Sequence, residues 1–326
     1  MISIKKYNPK MKKIWDSFVE RSNNGTLFHK QSFLEYHQTR VFLDSSVLFY
    51  RDNTLLAVLP AAIIDSKKTL HSHPGASFGG FVLLDQTPFA LIQEMITALE
   101  TYLKKEGIRS IVLIVSPSIY FNKHEESLNY LLYWNKYQII EQYVSHYSLL
   151  DQVSNKDILV NKRKQRYVKR IIDHDLFSIL QSSSLGVFYE LLVQLKKQYN
   201  LSPTHSLKEL CWLQKTFPDK IQLLISKCGD TVSGGTLLFY PNSAVCLVFY
   251  NIVDEKYKKN QLSSYQLYNA IIEAERRGCS SIDFGVSHNP ETNDPLSPKY
   301  SLIRFKEQFN ARGCIRTVYQ KVFNDQ

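Results

Sequence analysis

The sequence predicts an α/β chain with mixed, largely antiparallel sheets flanked by helices, laid out as two halves of similar design. Three observations lead there: a helix–glycine–strand junction that occurs twice, a turn-centred strand pair ahead of each junction, and a further strand entering each helix.

The first junction is LIQEMITALETYLKKEGIRSIVLIV, residues 91–115. Leu91, Met95, Ala98, Leu99 and Tyr102 recur at helical spacing, Gly107 supplies a C-cap, and a buried strand follows. The second is YQLYNAIIEAERRGCSSIDFGV, residues 265–286, where Leu267, Ala270, Ile271 and Ala274 form the stripe and Gly278 ends the helix. The two junctions align without a gap, EGIRSIVLIV at 106–115 against RGCSSIDFGV at 277–286. Upstream, residues 46–64 read as strand, Asp52-Asn53 turn and strand, and residues 221–240 repeat the plan around Gly229-Asp230. The strands expected to enter the helices are ASFGGFVLL (76–84) and AVCLVFYNIV (244–253). Domains are therefore expected over 1–150 and 151–326.

The chain has 326 residues, 44% hydrophobic and 13% aromatic, which excludes a disordered chain and is ample for two cores. Its net charge of +10 favours a polyanionic partner: a nucleic acid, a nucleotide, a phosphorylated substrate or an anionic membrane surface. Five cysteines stand singly with no CxxC spacing, so reduced, mostly buried thiols are expected rather than disulfides or a zinc site. No signal-peptide core opens the chain, and runs such as LLAVLPAAII are too short to span a bilayer. A cytoplasmic protein is expected, with peripheral membrane contact still open to it.

Residues 161–170, NKRKQRYVKR, hold six basic side chains in ten. Val168, Ile171 and Ile172 give this helix an apolar side; Arg163 and Arg166 lie either on a solvated face or on a phosphate-contacting one. In YSLIRFKEQFNARG, residues 300–313, Phe305 and Phe309 share a helical face that Leu302 joins, with Lys306 at its edge. Lys306 is either a snorkelling lysine or a charge held in a partly dry site. Asp283 is read as a base, a partner for Lys306 or a structural acceptor for loop amides. His71 and His73 share a strand face, but no acidic or cysteine ligand accompanies them, so no metal is expected. Gly79, with Gly75 and Gly80, permits close backbone approach, so that Ser77 and its neighbours either line a cleft or form a plain strand turn.

Two such halves, ending in Asp283-Phe284-Gly285, a polar loop, Phe305-Lys306 with Phe309, and Asn310-Ala311-Arg312-Gly313, resemble the tandem GNAT-fold acyltransferases of the FemAB-like group. That group comprises Fem-type peptidyltransferases and FemAB-like acetyltransferases. KRKQRYVKR resembles the Arg-rich helix that opens the group's second domain, and GTLFHKQSFLEYH and SHPGASFGG are similar to landmarks of its first. The resemblance implies two GNAT-like domains and amide formation on an amino group of a nucleotide- or lipid-linked cell-envelope or polysaccharide precursor, an amino sugar or a peptide. It implies acetyl-CoA or another acyl-CoA as donor, with aminoacyl-tRNA as the alternative; a non-catalytic relative binding an anionic glycan precursor or RNA is the third reading. On this resemblance Lys306 and Asp283 are the catalytic candidates. Tyr250, Leu262, Ser263, Ser264 and Phe305 are expected at the donor, and Arg163, Arg166, Arg312, His73, Ser77 and Gly79 at the acceptor. One departure stands out: ordinary GNAT enzymes place glycines in the phosphate loop, whereas YKKNQLSSYQLY (257–268) has none.

Overall fold

A computed structural model of the chain describes residues 1–37, 42–64, 68–150, 161–289, 294 and 296–323. The chain divides into two compact units, Met1–Tyr143 with Ile315–Gln326, and Val144–Cys314. The expected boundary after residue 150 abuts residues 151–160, which lie outside the described residues, as do 290–293 and 295 of the polar loop.

The first unit contains β1 (Ser3–Lys6), α1 (Lys12–Arg21), α2 (Gln31–Leu34), β2 (Leu43–Asp44), β3 (Val47–Arg51), β4 (Thr54–Leu59), β5 (Ala62–Ile63), β6 (Thr69–Ser72), β7 (Val82–Leu83), α3 (Phe89–Lys105), β8 (Ser110–Ile114) and α4 (Ser127–Trp134). The hairpin β3–β4 turns at Asp52-Asn53, both with positive φ, as the sequence predicts. Its residues alternate between two helices, which is why both strands read as nearly continuous apolar runs. Val47, Phe49, Ala57 and Leu59 pack with Met95 and Leu99 of α3, while Leu48 and Val58 pack with Trp15, Phe18 and Val19 of α1. The buried seam of α3 is Ile92, Met95, Ile96, Leu99 and Leu103, so Leu91 and Tyr102 are displaced from the predicted stripe to its margin. The strand expected over 76–84 shortens to β7, which pairs with β4; the strand parallel to β8 is instead β6.

β9 (Gln138–Leu149) carries the chain into the second unit, which contains α5 (Lys162–Asp173), β10 (Ser178–Ser182), α6 (Gly186–Lys197), α7 (Leu207–Thr216), β11 (Ile221–Cys228), β12 (Thr231–Phe239), β13 (Val245–Val253), α8 (Leu262–Arg276), β14 (Ser281–Val286) and α9 (Tyr300–Glu307); β15 (Arg312–Val322) then pairs with β8. Strands β10 to β13 form an antiparallel series, β14 joins β13 in parallel, and the last residues of β9 pair antiparallel with β14. The predicted stripe of α8, Leu267, Ala270, Ile271 and Ala274, packs with Leu238, Cys246, Ile282, Phe284 and Phe309. Of the five free cysteines only Cys246 and Cys279 are buried, fewer than the sequence reading expects.

Candidate functional site

The second unit holds a parting of two parallel strands. β13 and β14 pair only over Val245–Leu247 and Ser281–Asp283, and no pairing follows among the described residues. Beyond that point β13 stays with β12 through Val253, while β14 bulges away between Asp283 and Val286. Gly285 makes the bulge possible, since its φ of +75° is a left-handed conformation that a side chain disfavours. Asp283 fixes the bulge: its Oδ1 accepts from the Gly285 amide at 2.7 Å and from Ser145 Oγ at 2.5 Å. Asp283 is buried, and its charge acts on Lys306 as well as holding the loop amide.

The N-terminus of α8 lies beside the parted segment of β13. Asn251 Nδ2 donates to Ser263 Oγ at 3.0 Å. Gln261, at φ +60°, opens the helix, and its carbonyl accepts from the amides of Ser264 and Tyr265. The amides of Leu262 and Ser263 have no acceptor among the described residues, as the first turn of a helix leaves them. Lys164 stands at this helix end, buried, with Nζ 2.8 Å from Ser264 Oγ, 3.2 Å from Gln261 Oε1 and 4.7 Å from the centre of the Phe305 ring. Burial first, and then the neighbouring Arg163 charge, lowers its pKa. A cation at the positive end of a helix dipole is unfavourable alone and favourable once an anion arrives. The donor set of two amides and one ammonium thus fits a phosphate, without the glycines of the usual loop.

On the β14 side, Lys306 is not at the edge of an apolar face but buried, 5% exposed. Its Nζ donates to the carbonyls of Gly285 (2.6 Å) and Val286 (2.9 Å) and to Ser287 Oγ (2.9 Å). An ammonium has three protons, and all three are engaged. Burial draws its pKa down from 10.5 to about 8, against the opposing charge of Asp283. Phe309 is fully buried just past the end of α9, and Phe305 meets it edge-on at 5.5 Å between ring centres.

Other expected site residues have other partners. Tyr250 is on the parted segment of β13, but its hydroxyl accepts from the Thr204 amide at 3.2 Å. Arg163 turns outward onto Tyr167, and Arg166 lines a groove of about 800 Å³ with Lys162, Lys169, Val168, Ile172 and Tyr268. Ile172, expected on the apolar side of α5, is 52% exposed in that groove; Lys164 takes the inward place. Arg312 is exposed at the start of β15. His73, Ser77 and Gly79 belong to the first unit. There the His73 ring lies parallel to His37 with 6.3 Å between centres, the Ser77 carbonyl accepts from Arg316, and Gly79 is pressed against the backbone of Ser72 and His73. Among the described residues no cluster of metal-ligating side chains occurs.

Sequence reasoning missed Lys164, Ser287 and His146. Lys164 is hidden in a run of like charges, yet it shares the inward face of α5 with Val168 and Ile171, at spacings of four and seven. His146, on β9, is hydrogen-bonded through Nδ1 to Ser287 Oγ (2.9 Å), a partner about 140 residues away that no local pattern announces.

The fold these elements define, two mixed-sheet units and, in the second, a parted parallel strand pair over a helix N-terminus, is the tandem GNAT fold. The structure of FemX matches with a TM-score of 0.71 at 12% identity, over 99% of this chain and 98% of that one. A tandem GNAT protein of the clavulanic acid biosynthesis pathway, solved without AcCoA, matches at 0.58 with 8% identity and full coverage of both chains. L-PGS from Bacillus licheniformis matches at 0.56 with 12% identity, over 98% of this chain and 94% of that one. No family model matches the sequence, and no curated protein does. No helix among the described residues is long and apolar enough to cross a membrane.

Proposed function

We propose that the chain is an acyltransferase that forms an amide, taking the acyl group from a donor bearing phosphate and giving it to an amino group of a cell-envelope or polysaccharide precursor. The observation that carries this reading is the parting of β13 from β14 beside a helix end with two amides that have no acceptor among the described residues and a buried lysine. An extended thioester or ester arm fits such an opening by pairing with the freed edge of β13. Its phosphate would meet the amides of Leu262 and Ser263 and the Lys164 ammonium.

In the reaction, a neutral amine attacks the acyl carbon and the carbonyl electron pair moves to oxygen. Collapse then expels the thiolate or ribose alkoxide, which gains the proton the amine loses. Lys306 supplies positive charge at the end of β14 and fixes the strand there, acting on the reacting atoms through its field. The leading donor is acetyl-CoA or another acyl-CoA, held as a co-substrate. The alternative donor is aminoacyl-tRNA, favoured by the net charge of +10 and by the outward cations of α5. The acceptor is a nucleotide- or lipid-linked amino sugar or peptide, as the family resemblance implies.

Thermal-shift titration with acetyl-CoA, free CoA and deacylated tRNA, each at low and moderate salt, tests the donor. Stabilisation by acetyl-CoA that resists salt and that CoA partly reproduces is the expected result. Silence toward both CoA species with salt-sensitive stabilisation by tRNA transfers the donor role to aminoacyl-tRNA; silence toward all three overturns the reading.

A further inference from the structure

His146 is linked to Lys306 through Ser287, and none of the roles above uses it. It sits on β9 opposite the bulge of β14, between Ser145, which pairs with Val286, and Tyr147, which pairs with Asp283. That is the level of the sheet at which β14 has just left β13. The hydrogen bonds point to one tautomer. Lys306 is only a donor, so Ser287 Oγ accepts from it. The Ser287 hydroxyl proton has one acceptor among the described residues, His146 Nδ1 at 2.9 Å. With the hydroxyl proton directed there, Nδ1 carries no proton and a neutral ring holds its proton on Nε2. Nε2 makes no hydrogen bond among the described residues and is not among the buried atoms left without a partner. It is left without a protein acceptor among the described residues, on a residue that is 4% exposed.

Burial and the Lys306 charge favour the neutral ring. Burial lowers the pKa first, the Lys306 charge lowers it further, and Glu307 and Asp283 oppose them. A hydrogen bond relayed from an ammonium through a hydroxyl also polarises the ring and makes Nε2–H a stronger donor than an isolated imidazole. A neutral donor held in one orientation beside a reacting carbonyl is what an acyl-transfer transition state needs, because charge develops on the acyl oxygen.

We propose that His146 is a catalytic residue whose Nε2–H hydrogen-bonds the acyl oxygen as the amine adds, with Ser287 and Lys306 as positioning residues that hold its tautomer. The proposal rests on the acyl-transfer reading above. It alters the expected division of labour: Lys306, with its protons engaged, acts through Ser287 and His146 rather than by touching the oxyanion.

Two measurements decide it. In protein labelled with 15N-histidine, with the signal assigned through a His146→Gln variant, the His146 ring should be the neutral Nε2–H tautomer at pH 7. Ser287→Ala should release it to a mixture of tautomers while leaving the chain folded. A neutral Nδ1–H ring or an imidazolium at pH 7 in wild type overturns the relay. In acyl transfer to hydroxylamine from acetyl-CoA or alanyl-tRNA, His146→Phe should lower kcat by about 100-fold with the donor KM unchanged, and Ser287→Ala by about 10-fold. Turnover within twofold of wild type in His146→Phe, or a loss confined to KM, overturns the catalytic role. A wild-type chain inert with both donors refutes acyl transfer itself and removes that role with it, while the tautomer still decides the relay.

Discussion

Lys306→Met removes the buried ammonium and keeps most of the side-chain volume, so its effect on stability isolates the charge. In wild type the folded-state pKa of about 8 lies below the ordinary 10.5, because the site is dry. Between those values the unfolded chain holds more protons than the folded one, and stability rises with pH across the window. The full difference of 2.5 units corresponds to about 3 kcal/mol. From pH 7 to 9.5, most of the way through the window, wild type gains about 2 kcal/mol relative to the methionine variant. At pH 7 the variant is the less stable chain, since Gly285 O, Val286 O and Ser287 Oγ lose their common donor. Urea denaturation of both proteins at pH 7, 8, 9 and 9.5, with slopes held in common, measures the difference directly. A gap between the two that stays constant with pH would show that Lys306 titrates as an exposed lysine, and the dry site would be refuted.

Three further outcomes are expected. Gly79→Ala should destabilise the first unit by about 3 kcal/mol or more, because an added Cβ would come within 2.6 Å of the Ser72 carbonyl; a variant that melts with wild type refutes the close approach. Glu273, hydrogen-bonded first to Arg276 and also to Gln222 and Arg277, has its pKa lowered from 4.5 to about 2. Its stabilisation is complete above pH 4.5 and lost as pH falls toward 2, so the advantage of wild type over Glu273→Gln should shrink across that range by about 1–2 kcal/mol after allowance for solvent screening. An unchanged advantage in acid denaturation would contradict it. Lys164→Met should weaken binding of the phosphate-bearing donor about 10-fold, or about 1.4 kcal/mol, in a thermal-shift titration; equal affinity would mean that the α8 terminus is not the phosphate site.

Much of this fold is legible because it is local. The α8 stripe, the Gly278 stop and the hairpin turns at Asp52-Asn53 and Gly229-Asp230 rest on spacings within one element, and the structure reproduces them. The α3 seam is misplaced because Leu91 and Tyr102 flank an apolar face wide enough to accept either register. The shortened β7 follows from Gly79 and Gly80, which let the chain bridge to Val115 instead of extending as a strand. The interior of the candidate site is less legible because its partners are distant in the chain. Lys306 is buried by two carbonyls and a hydroxyl about 20 residues upstream, so its own helix carries no sign of them. Lys164 meets Ser264 across 100 residues, and His146 meets Ser287 across 141. Backbone acceptors have no sequence signature, since every residue supplies one.

Hydrogen–deuterium exchange, with and without whichever donor stabilises the chain, tests the central claim most directly: that the opening between β13 and β14 receives the acyl donor. The account predicts protection over residues 248–253 and 261–266 and around Gly285, with other helices of the second unit unchanged. Donor-dependent protection confined to other parts of the chain, with none at these three segments, would contradict it.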